Sequence, residues 1–138
     1  MAEDWSARFI IESLRSGQSV VFRARGRSMW PTISSRSRIE VTPCAGSALT
    51  TGEIAAFERA GRVLVHRVLG VDGAGVVFGG DSRDATDGHI AHEQVLGRAR
   101  VVEPRRLRWR LPALRHVVWL CRALSRRAAL RGASRAAK

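Results

Sequence analysis

The stretch "EIAAFERAGRVLVHRVLGV", residues 53 to 71, decides the fold class. Its second half alternates, putting Leu64, His66 and Val68 on one face of an extended segment, the period of two that a strand requires. Similar β-rich runs lie on either side: "SVVFRA" (19–24), "SRIEVT" (37–42), "GVVFGG" (75–80) and "VLGRARVV" (95–102), alongside "EIAAF" (53–57) and "RVLVHRVLGV" (62–71) themselves. Each is bounded by Gly, Ser, Thr, Asp or Pro, the residues that end strands and build turns. Short strands joined by such turns predict a mainly β fold of coiled antiparallel sheets forming a small barrel.

Before the β body, Trp5, Phe9, Ile10 and Leu14 recur at helical spacing, with Asp4 placed to cap the start and Gly17 to end the turn. This predicts a short amphipathic helix over residues 5–16. After it, Glu103-Pro104 opens a tail in which Leu114, Val117, Val118, Cys121, Leu124 and Ala128 form one stripe and Arg115, Arg122 and Arg126 another face. The pattern predicts a basic amphipathic helix from about Pro112 to Arg131. The chain thus divides into one domain, 1–103, and a helical tail, 104–138, and it contains no internal repeat.

The formal charge of +12 is unevenly spread. Residues 1–103 balance to +1, whereas the tail, with ten arginines, Lys138 and no acid, carries +11. A near-neutral body with a cationic tail points to an anionic surface as partner, not to a nucleic-acid-binding body. No helix-turn-helix or other recognition motif accompanies the charge, so sequence-specific nucleic-acid binding is not expected. Two distant cysteines, Cys44 and Cys121, give neither a disulfide framework nor a metal-ligand spacing. The N-terminal residues contain Glu3, Asp4 and Glu12 and lack an apolar core, so no secretory signal peptide is expected, and no apolar run reaches transmembrane length. A cytoplasmic protein is expected, held at most peripherally on the inner face of a membrane.

"GRSMWPT", residues 26–32, is the candidate for chemistry. A serine such as Ser28 becomes a nucleophile only beside a base that takes its proton and an acid that orients the base. Lys138 is the only lysine and stands last, so the base falls to histidine. His89 and His92 sit in a polar loop and His116 in the tail, whereas His66 lies in a strand, the more rigid platform. Carboxylates gather in "GGDSRDATDGH", where Asp81, Asp84 and Asp87 are each within reach of a chain reversal permitted by the flanking glycines. Each feature also has a plainer reading: a turn serine before proline, a hydrogen-bonded strand histidine, a tight Gly-Asp turn, a core Trp30.

Four blocks in order, "GRSMWPTI", "LTTGEIAAFERAGRVLVHRVLGV", "GGDSRDATD" and "VLGRARVV", resemble the signal peptidase I clan of serine proteases over residues 19–102. Histidine at the base position makes the chain similar to the archaeal and endoplasmic-reticulum branch, not to the lysine-based leader peptidases and SOS-repressor relatives. The resemblance implies a serine endopeptidase without cofactor or metal. Ser28 would be the nucleophile, His66 the general base, Asp87, six positions beyond the Gly-Asp block, the residue orienting His66, and Asp81 a structural or auxiliary acid. It places the oxyanion and substrate contacts at Gly26, the Ser28 backbone N–H and Met29. Glycine at 26 removes a side-chain hydroxyl that some relatives use there. The substrate implied is a peptide bound extended, with small residues before the cleaved bond.

Residues 1–27 form no membrane span of the kind typical signal peptidases carry before the nucleophile, so a cytosolic peptide precursor is as compatible a substrate as a secretory signal peptide. Two readings of the tail stand side by side: an interfacial anchor carrying Trp109 and Trp119, or a helix packed on the body. The competing function is a catalytically weak or inactive protease-fold module whose tail binds anionic lipid or nucleic acid. Self-cleavage at Ala45-Gly46 fits less well, because that pair follows the nucleophile and the lysine base is missing.

Overall fold

The computed structural model describes residues 5–103. The predicted tail helix and the Asp4 cap, with His116 and Cys121, lie outside these residues. One helix, α1 (Trp5–Arg15), precedes seven strands: β1 (Val20–Arg23), β2 (Arg38–Thr42), β3 (Ile54–Arg59), β4 (Arg62–Asp72), β5 (Gly75–Gly79), β6 (Thr86–Ile90) and β7 (Val95–Glu103). All pairings are antiparallel, in the order β1-β2-β7-β3-β4-β5-β6. The chain is mainly β, with the predicted strands in place.

Two expectations need correction. The sheet does not close into a barrel: β1 and β6 end it and do not pair. The loop between β1 and β2 occupies the junction instead, where the Ser82 N–H donates to Ser28 O at 2.9 Å and Ser82 Oγ donates to Arg27 O at 2.8 Å. Contacts from an irregular loop cannot propagate a strand ladder, so the edges stay apart. The second correction is β6, read from sequence as a polar loop. Among its residues, Thr-Asp-Gly-His-Ile, only the two ends favour a strand, and Gly88 sits at φ 78°. Backbone pairing with β5 makes it a strand, with Val76 opposite Ile90 and Phe78 opposite Gly88.

Apolar clusters cover both faces of β3, which explains why its middle reads as an unbroken "AAF" and not as an alternation. On one face Ala55 and Phe57 join Leu49, Val68, Val76, Phe78 and Ile90, and the Phe57 and Phe78 rings stack with centroids 4.4 Å apart. On the other, Ala56 joins Val41, Leu96 and Ala99 beneath Ile11 and Leu14 of α1. Ala7, Ile11 and Leu14 form the buried side of α1, so Phe9, predicted on that side, instead lies 66% exposed. Gly17, at φ 88°, ends the helix as expected: its N–H donates to Leu14 O, and that of Gln18 to Ser13 O.

Strand β7 is central because it pairs with both β2 and β3. That close approach requires Gly97, where an added Cβ would lie 2.2 Å from Thr42 O and 2.7 Å from its carbonyl carbon. We expect Gly97→Ala to force β2 and β7 apart and to cost about 1–3 kcal/mol, read as a lower midpoint in urea denaturation. An unchanged midpoint would contradict this packing.

Candidate functional site

The β4 strand carries two buried polar side chains in succession, His66 and Arg67, which alternation sends to opposite faces. His66 sits opposite Ala55 in the β3 ladder, and the edge of its ring meets Phe57 at a centroid distance of 6.0 Å. Strand backbone and aromatic packing thus hold the imidazole, which is 5% exposed.

Both ring nitrogens have partners from distant parts of the chain. His66 Nδ1 is 2.5 Å from Asp87 Oδ2, and His66 Nε2 is 2.9 Å from Ser28 Oγ. A carboxylate accepts and does not donate, so the proton belongs on Nδ1, leaving the Nε2 lone pair to accept from the serine hydroxyl. Asp87 comes from β6, the edge strand that sequence reading took for a loop. Its backbone carbonyl also accepts from Arg59 Nη1 at 3.1 Å. Of the three aspartates that sequence alone left open, this is the one beside His66. Asp84 is exposed, and Asp81 faces elsewhere. His89 lies on β6 with Nε2 2.9 Å from Asp72 Oδ2, and His92 Nε2 is 2.9 Å from Asp72 O, so both stay away from Ser28.

Asp81 has a different setting. Its carboxylate takes a two-pronged contact from Arg67, Nε to Oδ1 at 2.8 Å and Nη2 to Oδ2 at 2.7 Å, and accepts from Thr32 Oγ1 at 2.5 Å. Arg67 also donates to Gly52 O at 2.7 Å. These groups fasten the Ser28 loop, through Thr32, to β4 and to the turn after β5. Sequence reading singled out neither Arg67 nor Thr32, although both stand inside the quoted motifs; the burial of the arginine was the missing signal.

The Ser28 loop is shaped by backbone constraints. Gly26 adopts φ 84°, a left-handed conformation that side chains disfavour, and a Cβ there would meet nothing. Conformation, not space, is what this glycine supplies. Gly80 is the reverse case: an added Cβ would stand 2.6 Å from Ser28 O, so the β5 end packs directly under the serine. Met29 is buried with Ile33 and Ile39 and anchors the loop. Trp30, whose bond to Pro31 is cis, is 53% exposed and is no core residue. Among the described residues, the backbone N–H groups of Ser28 and Met29 have no acceptor, whereas that of Trp30 donates to Arg27 O.

A groove of about 720 Å³ opens at Ser28 and His66. Gly26, Phe22 and Ala24 line one side, and residues 60–65 line the other. Among the described residues, both sides present unpaired backbone: β1 pairs only with β2, and β4 pairs with β5 only from Arg67 onward, which leaves Arg62–His66 bare on that edge. Away from the groove, Cys44 packs against the Phe57 cluster, and burial pushes its thiol above the ordinary value against the opposing charge of Arg98. A half-buried thiol of raised pKa is a poor nucleophile.

Comparison with protein-family models, curated proteins and solved structures finds no match to this chain.

Removing one member of a buried, hydrogen-bonded ion pair strands the other. Asp81→Ala should therefore lower the unfolding free energy by about 3–5 kcal/mol, and Arg67→Ala by a similar amount. Denaturant unfolding of the two variants checks this, and wild-type stability in both would show that the pair contributes nothing to the fold.

Proposed function

We propose that the protein is a serine endopeptidase of signal-peptidase-like mechanism that cuts a peptide bond within an extended segment. The observation that carries this reading is the continuous chain Ser28 Oγ–His66 Nε2 and His66 Nδ1–Asp87 at one end of an open groove. Ser28 Oγ attacks the carbonyl carbon while His66 Nε2 takes the hydroxyl proton. The imidazolium formed is stabilised by Asp87, and it returns the proton to the leaving amine as the C–N bond breaks. Water then attacks the acyl-serine, losing its proton to His66, and the ester bond breaks to regenerate Ser28. The Ser28 N–H, with the Met29 N–H behind it, supplies donors for the oxyanion, since Gly26 offers no side chain.

The two bare edges favour extended binding. A peptide lying between β1 and the first half of β4 would gain main-chain hydrogen bonds on both sides, the mode called strand addition. The preference for small residues before the cleaved bond comes from the resemblance to the signal peptidase I clan in the four sequence blocks. Asp81 serves as a structural acid in this reading, holding the loop through Thr32.

Purified protein and peptides with alanine before the scissile bond provide the test, with products identified by mass. Ser28→Ala and His66→Ala should each reduce turnover by about 10³-fold or more, and Asp87→Asn by about 10²–10⁴-fold with KM little changed. Undiminished turnover in both the Ser28 and His66 variants would overturn the mechanism.

Among the described residues, no helix is long and apolar enough to cross a membrane. The proposed location is cytoplasmic, with residues 104–138 contacting an anionic surface, because their +11 charge lies among apolar residues at helical spacing. The same charge is what favours the second reading, an inactive module that binds lipid or nucleic acid. Flotation with vesicles containing anionic lipid should carry the full chain upward and leave behind a chain ending at residue 103. Equal behaviour of the two chains would remove the membrane role of the tail.

A further inference from the structure

Among the described residues, the groove beside Ser28 is charged on one sign only: Arg23 and Arg25 stand on its β1 side and Arg62 on its β4 side, and no described Asp or Glu lines it. All three arginines are exposed. Arg23 donates to the backbone carbonyl of Arg36, which leaves its charge uncompensated. Among the described residues, the side chains of Arg25 and Arg62 enter no hydrogen bond or ion pair. Elsewhere on the body five arginines stand in ion pairs: Arg8 with Glu12, Arg15 with Glu58, Arg67 with Asp81, Arg98 with Glu53, Arg100 with Glu40. At the groove, three exposed cations without a carboxylate partner thus stand together on a body whose overall charge is close to neutral.

We infer that the groove selects an acidic segment: an extended peptide carrying Asp or Glu near the bond to be cut, read by Arg62 and Arg25. This rests on the protease reading of the Ser28 site. Arg62, Leu64 and His66 alternate along β4 and so share a face. A peptide lying against that edge has the residue facing Arg62 about four positions, roughly 13 Å, from the residue facing His66. Arg25, three residues before Ser28 on the opposite wall, is placed to meet the same peptide from its other side.

Charge also excludes other occupants. A lysine- or arginine-rich segment would be repelled from this groove. So would the positively charged start of a secretory signal peptide, wherever it lay near the cleavage site. The favoured substrate is a precursor whose cleavage region is acidic.

Matched peptides that differ only in Glu, Gln or Lys, placed four residues to one or the other side of the cleaved bond, test the inference. At about 50 mM salt, kcat/KM should fall in the order Glu, Gln, Lys, by about two- to five-fold per step in at least one of the two series, and the spread should shrink at about 0.5 M salt. Arg62→Glu combined with Arg25→Glu should reverse the order. Equal cleavage of all three peptides, or an order the double variant leaves intact, overturns the acidic preference while the protease reading stands. Fluorescence anisotropy of the same labelled peptides with Ser28→Ala separates the two ideas. Tighter binding of the Glu peptide, with no peptide cut by the wild type, overturns the protease reading and supports the acidic preference.

Discussion

The pairing of Arg67 with Asp81 is the constraint on which the geometry of the site depends. Both groups are buried, and charges removed from water are tolerated only when their hydrogen-bonding capacity is used. Here Thr32 and the carbonyl of Gly52 complete the set. The consequence is geometric. Arg67 immediately follows His66 on β4, and Thr32 lies four residues after Ser28, so one ion pair fixes the histidine strand and the serine loop in a common frame. Ser28 O, held by the Ser82 N–H two residues beyond Gly80, ties that loop down a second time.

Strand β6 supplies the remaining member of the set. An edge strand with glycine at its centre, held by its ladder and by Ile90 in the core, delivers Asp87 to the Nδ1 side of the His66 ring. The aspartate side chain is 18% exposed, far less than its neighbours on that strand, because it points back under β4. Placing an acid on the weakest strand means that the orientation of His66 depends on the integrity of the sheet edge. The Arg59 contact with the Asp87 carbonyl adds a second restraint there.

Most of the strands were legible because half-buried or buried extended segments leave a mark in the order of apolar residues, as in "RVLVHRV" and "GVVFGG". Strand β6 left none, since its backbone pairing is independent of its side chains. Helix α1 was visible, but its rotation was not: periodicity admitted Phe9 to the apolar side, while the packing chose Ala7 and Ile11. In the site, Ser28 and His66 stood out by residue type and by the missing lysine. Residue type could not separate Asp81, Asp84 and Asp87, because chain reversal after a glycine pair can bring any of them round. The resemblance to the signal peptidase I clan pointed to Asp87, and in the structure its carboxylate is the one at Nδ1. Arg67 was invisible as a structural residue, because an arginine in a strand is ordinarily read as solvent-facing.

An open sheet with bare edges invites association with other chains, and proteins commonly protect such edges with charge. Arg23 on β1 and Arg62 on β4 meet that need, for a second copy of this groove would bring like charges together. The same arrangement has a converse. A strand of neutral or cationic character gains backbone hydrogen bonds in the groove but leaves the arginines uncompensated, whereas an acidic strand gains both. Protection against edge pairing and selection of an acidic segment are therefore two consequences of one distribution of charge, and a body whose arginines and acids nearly cancel can keep these few unpaired without a large net charge.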